Sequence, residues 1–190
     1  MEDQTSEHLE HAEHAEHAAH AGNPFITTVS VTIAILAVIA ATVGSLETLE
    51  SGAAIGEKNE AVLRQSQASD KYAEYQAKSL KQKMYEIAIA NGAPKAEEFG
   101  KNVERYAEES KDILKEAKEY EKQRDEKLKA SNTHEERHHI LTAGVTLLHV
   151  AIAVATVAII TKGQKWPWYV AIAMGLAGIV WSARAYLPGH

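Results

Sequence analysis

The sequence contains no cysteine, and this absence excludes disulfides, thiolate metal sites and cysteine nucleophiles from any account of it. It has only 4 prolines among 190 residues, so long helices are seldom interrupted. Positive charge is also scarce: 20 Lys and Arg stand against 26 Asp and Glu, a formal net charge of −6. That balance, with no basic patch in view, argues against nucleic acid as a partner. No Gly-rich phosphate loop, nucleophile elbow or dinucleotide fingerprint is present, and no pair of carboxylates lies within the apolar blocks. The amino-terminal stretch lacks the basic start of a cleavable leader. Residues 1–22 hold acids and histidines but neither Lys nor Arg, so the apolar run that follows is expected to remain as an anchor.

What is present is a separation of apolar from charged residues. From Ala21 to Leu46 there is no charged side chain, and Pro24 suits the first turn of a helix. A second uncharged block runs from Ile140 to Thr161, and a third from Pro167 to about Leu187 is broken only by Arg184. A hydrocarbon layer of ~30 Å needs roughly 20 helical residues, so each block predicts a transmembrane helix. Trp166, Trp168 and Tyr169 at one end of the third block, and Trp181 and Tyr186 at the other, suit the two water interfaces. Ala37, Ala40, Ala41 and Gly44, Ala151 and Ala155, and Ala171, Gly175 and Gly178 predict close packing among the three spans. The link Lys162-Gly163-Gln164-Lys165 makes the second and third spans antiparallel. Near the span ends, Lys58, Arg64, Lys122, Arg124, Lys127, Lys129, Arg137 and Arg184 fall on one side, and Lys162 and Lys165 on the other. The excess predicts a cytoplasmic central region and an outside amino terminus.

Residues 47–139 carry 20 acids and 17 bases, with a stop-and-turn signal at Asn91-Gly92-Ala93-Pro94. This predicts an antiparallel helical hairpin, coiled-coil-like, inserted between the first and second spans. Its returning arm has apolar residues alternating by four and three: Phe99, Val103, Tyr106, Ser110, Ile113, Ala117, Tyr120. The outgoing arm offers the same spacing at Ala73, Ala77, Leu80, Met84 and Ile87, with Tyr72, Tyr75 and Tyr85 nearby as core or interface. The seam is expected to hold the arms together or to bind sister subunits. Gly52 and Gly56 mark the weakest helical stretch and a candidate hinge. The expected fold class is therefore all-α. The expected segments are a His/Glu-rich tail (1–23), a span (24–46), the hairpin (47–139, turn at 91–94) and two further spans (140–161 and 166–187).

Three stretches resemble a bacterial inner-membrane family known only as a domain of unknown function (family 4337). They are the Glu/His run leading into Asn23-Pro24-Phe25, the segment Ala68-Ser69-Asp70-Lys71-Tyr72-Ala73-Glu74-Tyr75-Gln76-Ala77-Lys78-Ser79, and His138-His139 followed by Leu141-Thr142-Ala143-Gly144-Val145-Thr146-Leu147-Leu148. The resemblance implies a small three-span protein and no particular activity.

Three sets of residues carry candidate chemistry. His8, His11, His14, His17 and His20 recur every third residue among glutamates, a composition that binds zinc, nickel or copper weakly and whose charge changes near neutral pH. A step of three turns ~300° along a helix, so these histidines spiral and share no face. His134-Glu135-Glu136-Arg137-His138 has the spacing that places two zinc ligands on one helix face with a glutamate beside them, although no third ligand follows. A zinc-dependent hydrolase is the weaker alternative this leaves open. His149 lies near the middle of the second span, where polar side chains usually face protein. The leading expectation is a non-enzymatic membrane scaffold or accessory subunit that needs no cofactor, assembling through its hairpin as a homo-oligomer or within a larger membrane complex, with lipid around its spans. The alternatives are an oligomeric channel or transporter component using His149, and a metal-binding or metal-sensing membrane protein.

Overall fold

The computed structural model describes residues 24–161 and 164–187. Among them the chain is all-α, without a strand. Helix α1 is Pro24–Ala90, α2 is Ala96–Ile160 and α3 is Trp166–Ala183, followed by a 3-10 turn, Arg184–Tyr186. All three are long and apolar enough to cross a membrane. The chain divides into two compact units, one of residues up to Ala53 and from Thr133 onward, the other Ala54–Asn132.

In the first unit the three apolar segments pack through small side chains. From α1, Val29, Ile33, Leu36, Ala40 and Val43 are buried, a row spaced by four and three residues. They meet Leu141, Leu148, Ala151, Ile152 and Ala155 of α2, while Ala171, Gly175, Gly178 and Ser182 form the buried edge of α3. Ala37 joins this core, but Ala41 faces out and Gly44 has open space around it. The tightest point is where Gly144 passes Gly178. A β-carbon on Gly178 would lie 3.0 Å from the Gly144 carbonyl oxygen and 3.1 Å from Leu148 Cγ; one on Gly144 would lie 3.1 Å from the Gly178 carbonyl oxygen. Backbones this close leave no room for a side chain, the usual basis of glycine-mediated helix contact in apolar surroundings. At the start of α3, Pro167 occupies the first turn, where its missing N–H costs nothing. Trp168 Nε1 donates to Thr32 Oγ1 (3.1 Å), and its ring meets Phe25 edge-on at 5.9 Å.

The second unit is an antiparallel helical hairpin. Its turn closes through two bonds, Gly92 N–H to the Ile89 carbonyl (3.0 Å) and Ala93 N–H to the Ala88 carbonyl (3.1 Å). That pairing is a Schellman cap, and it needs a left-handed residue after the helix, a place filled by Gly92 at φ 77°. Glu97 and Glu98 then lie in the first turn of α2, where the helix dipole favours negative charge. The returning arm presents Ser110, Ile113 and Ala117 as buried contacts, with Phe99, Val103, Tyr106 and Tyr120 half-buried. The outgoing arm differs from expectation. Its buried positions are Ala54, Ala61 and Ala68, with half-buried Arg64, Lys71, Tyr75 and Lys78 continuing the same row. Leu80, Met84 and Ile87, expected on the seam, are instead 64%, 62% and 60% exposed, and Ala73 and Ala77 share that outer face. The inner row of α1 carries alanines, which let the arms approach, and long side chains from both arms reach across it. Lys71 pairs with Glu116 (2.7 Å), Lys127 with Glu57 (3.0 Å), Lys78 with Glu109, and the Tyr72 hydroxyl donates to Glu121 (3.0 Å). Near the turn the tyrosine stack is Tyr85 against Phe99 and Tyr106, with centroids 5.1 and 6.0 Å apart. Helix α1 continues unbroken through Gly52 and Gly56, because an isolated glycine costs helix stability without ending a helix held by packing.

Two substitutions test these contacts. Gly178→Ala drives a methyl into a backbone carbonyl and is expected to lower stability by about 1–3 kcal/mol in detergent unfolding. Gly92→Ala forces a left-handed alanine and is expected to cost about 1 kcal/mol, read as a lower unfolding midpoint.

Candidate functional site

The sequence places Glu47 and Glu50 one turn apart, just after the apolar stretch of α1, and His134 and His138 one turn apart just before that of α2. Antiparallel packing within the first unit brings the two pairs face to face. His134 Nδ1 donates to Glu50 Oε2 at 2.6 Å, and His138 Nδ1 lies 3.6 Å from Glu47 Oε1. Glu50 also accepts from the Tyr186 hydroxyl at 3.0 Å and stands 3.8 Å from Arg137 Nη1; Glu47 accepts from Thr142 Oγ1 at 2.8 Å. The Arg137 guanidinium lies 5.5 Å from the centre of the Tyr186 ring. Three segments, from α1, α2 and the turn after α3, therefore meet on one carboxylate.

Glu50 is only 8% exposed. Burial by itself raises its pKa. The hydrogen bonds from His134 and Tyr186 and the charges of His134 and Arg137 outweigh burial and hold the carboxyl below its ordinary 4.5. With Glu50 ionised, the contacting nitrogen of His134 must carry a proton, and protonating the second ring nitrogen turns the hydrogen bond into an ion pair. The cluster can clamp the helices through Glu50.

The two histidines of the His134–His138 pattern do share one face, and each is directed to a glutamate of α1. Glu135 does not lie beside them. It is exposed and stands 4.0 Å from His139, because one residue further along a helix is ~100° around it. Among the described residues no three His, Asp or Glu converge as metal ligands. His149 is half-buried in the apolar part of α2. His8, His11, His14, His17 and His20 lie outside the described residues. The sequence reading missed Glu47, Glu50, Thr142 and Tyr186, although a glutamate pair bordering the first apolar block, matched by a histidine pair bordering the second, was the available signal. Lys111, Lys115, Lys118 and Lys122 line one face of α2 together with Leu114 and Glu119.

A family model described as a domain of unknown function, DUF4337, matches residues 25–188. The chain belongs to this family. In this DUF4337 chain the match takes in both units, the glutamate–histidine cluster included. No curated protein and no solved structure matches the chain.

Glu50 gives a pH signature. A carboxyl with a lowered folded pKa contributes stability that is fully present above its unfolded value and is lost as pH falls through the folded one. The unfolding midpoint of the wild-type protein is therefore expected to fall as pH drops below 4.5. Glu50→Gln should be less stable at neutral pH by about 3 kcal/mol and should flatten that acid limb; unchanged thermal melts between pH 7 and 3 would refute the assignment.

Proposed function

We propose that the chain is a multi-pass membrane scaffold, of the bacterial inner membrane, that assembles through its charged hairpin. The observation that carries the reading is the contrast between the units. In the first, large apolar side chains such as Ile35, Val38, Val157, Leu176 and Val180 are exposed on all three helices, an arrangement stable in lipid and not in water. In the second, ion pairs and hydrogen bonds join two helices that carry charge on nearly every turn, as suits a unit kept in water. A hairpin that closes on itself through side-chain contacts forms no enclosed reaction chamber, and what it offers is surface. The Lys and Arg bias puts the hairpin and the carboxyl terminus on the cytoplasmic side. The glutamate–histidine cluster serves in this reading as the clamp that joins the three helices where they leave the apolar layer.

The test is removal of residues 54–132 and their replacement by a short Gly/Ser linker, with native mass spectrometry of the detergent-solubilised protein. The intact chain is expected to give an oligomer and the deleted chain a monomer. An assembly unchanged by the deletion would overturn the scaffold reading. A reporter inserted at Asn91-Gly92 should be active only on the cytoplasmic side.

A further inference from the structure

The hairpin arm of α1 has its residues the wrong way out for a structure that acts alone. Its inner face is built from Ala54, Ala61 and Ala68, whereas Leu63, Leu80, Met84 and Ile87 are at least half exposed on the other side. Burying an aliphatic side chain of that size is worth roughly 1.5–3 kcal/mol, and a hairpin folding only for itself would place these residues inward. Their positions are also ordered. Leu63, Ala73, Ala77, Leu80, Met84 and Ile87 fall on one heptad register, and Gly56, Asn59, Ser66 and Asp70 occupy its remaining places. Every one of these residues is exposed. The row spans ~46 Å of helix, and its apolar places run without a break from Ala73 to Ile87, about two heptads. Knobs at this spacing fit holes on another α-helix with the same spacing, and neither a flat surface nor a strand offers them.

We infer that this face of α1 is the contact between two copies of the chain, pairing α1 with α1 in parallel and in register. The inference rests on the scaffold reading above and names its partner. Three observations favour a second copy. The stripe is self-complementary, because in-register pairing sets Leu80 on Leu80, Met84 on Met84 and Ile87 on Ile87. The flanking residues then meet without like charges: Ser69 of one copy faces Glu74 of the other, Gln76 faces Lys81, and Lys83 faces Ala88. Two chains anchored in one membrane also run their first helices in the same direction, which excludes antiparallel pairing. Upstream in the sequence the same spacing continues through Val31, Ile35, Val38, Thr42, Ser45 and Leu49, all exposed, with no charge among them. Asp70 is the single charged residue on the stripe, and in register it meets its own copy. That repulsion limits the strength of the pair and provides a signature.

The absence of cysteine makes the test direct. Leu80→Cys and Ile87→Cys in the full-length protein, reconstituted in lipid vesicles and oxidised with copper phenanthroline, are each expected to give a disulfide-linked dimer. Lys115→Cys on the far arm is expected to stay monomeric. A mixture of Ala73→Cys and Ile87→Cys chains should give no mixed dimer, since only an antiparallel pair brings those positions together. Asp70→Asn should raise the dimer fraction at limiting protein by about 2-fold or more through relief of like-charge contact. Crosslinking at Lys115 equal to that at Leu80, or an Asp70→Asn protein no more dimeric than wild type, overturns the inference. So does a discrete oligomer in native mass spectrometry that fails to crosslink at Leu80 and Ile87, an outcome that leaves the scaffold reading standing. A monomer in every measurement overturns both.

Discussion

Close approach of helix backbones, allowed by alanine, glycine and serine at the contact positions, is the constraint on which both units rest. In the apolar unit, Gly144 and Gly178 bring α2 and α3 within reach of each other's carbonyl oxygens. Between apolar helices fit and dispersion decide the packing, and fit is best where side chains are absent. In the hairpin the same economy appears at Ala54, Ala61, Ala68 and Ala117. The narrow gap is then bridged by long side chains reaching over the seam, such as Lys71 to Glu116 and Lys127 to Glu57. Exposed pairs of this kind add little stability individually; their value is in register, since a slip of one turn separates every pair at once.

Glu50 is placed where that packing meets a second demand. Leaving the apolar stretches, α1 and α2 carry charged residues within one turn, and these residues face each other before they face water. A carboxylate buried there has to be matched, and it is matched by His134, Tyr186 and Arg137. The match makes one residue of α1 a common point for α2 and for the turn after α3. A buried charge is costly to strand, so removing any one of these partners leaves Glu50 uncompensated.

The small-residue seam also has a consequence outside the hairpin. With alanine turned inward, the larger aliphatic residues of the arm are left exposed on the opposite face. An arm that buried Leu80, Met84 and Ile87 against α2 would be more stable alone and would have nothing left to offer a partner.

Much of this was legible in the sequence because it depends on local rules. Three uncharged blocks of helical length, the Asn91-Gly92-Ala93-Pro94 turn and the row from Phe99 to Tyr120 follow from composition, backbone preference and spacing, which need no knowledge of the partner element. The face that α1 presents to α2 did not follow. Two rows on that helix carry heptad spacing, one through Ala61 and Ala68 and one through Ala77 and Met84, and periodicity favours the bulkier row. The tertiary structure chose the smaller one, which lets the arms come close enough for Lys71 to meet Glu116 and Lys127 to meet Glu57. The partners of His134 and His138 were hidden for a related reason. Glu47 and Glu50 lie more than eighty residues away in sequence, and only the antiparallel return of α2 determines which carboxylate each histidine meets.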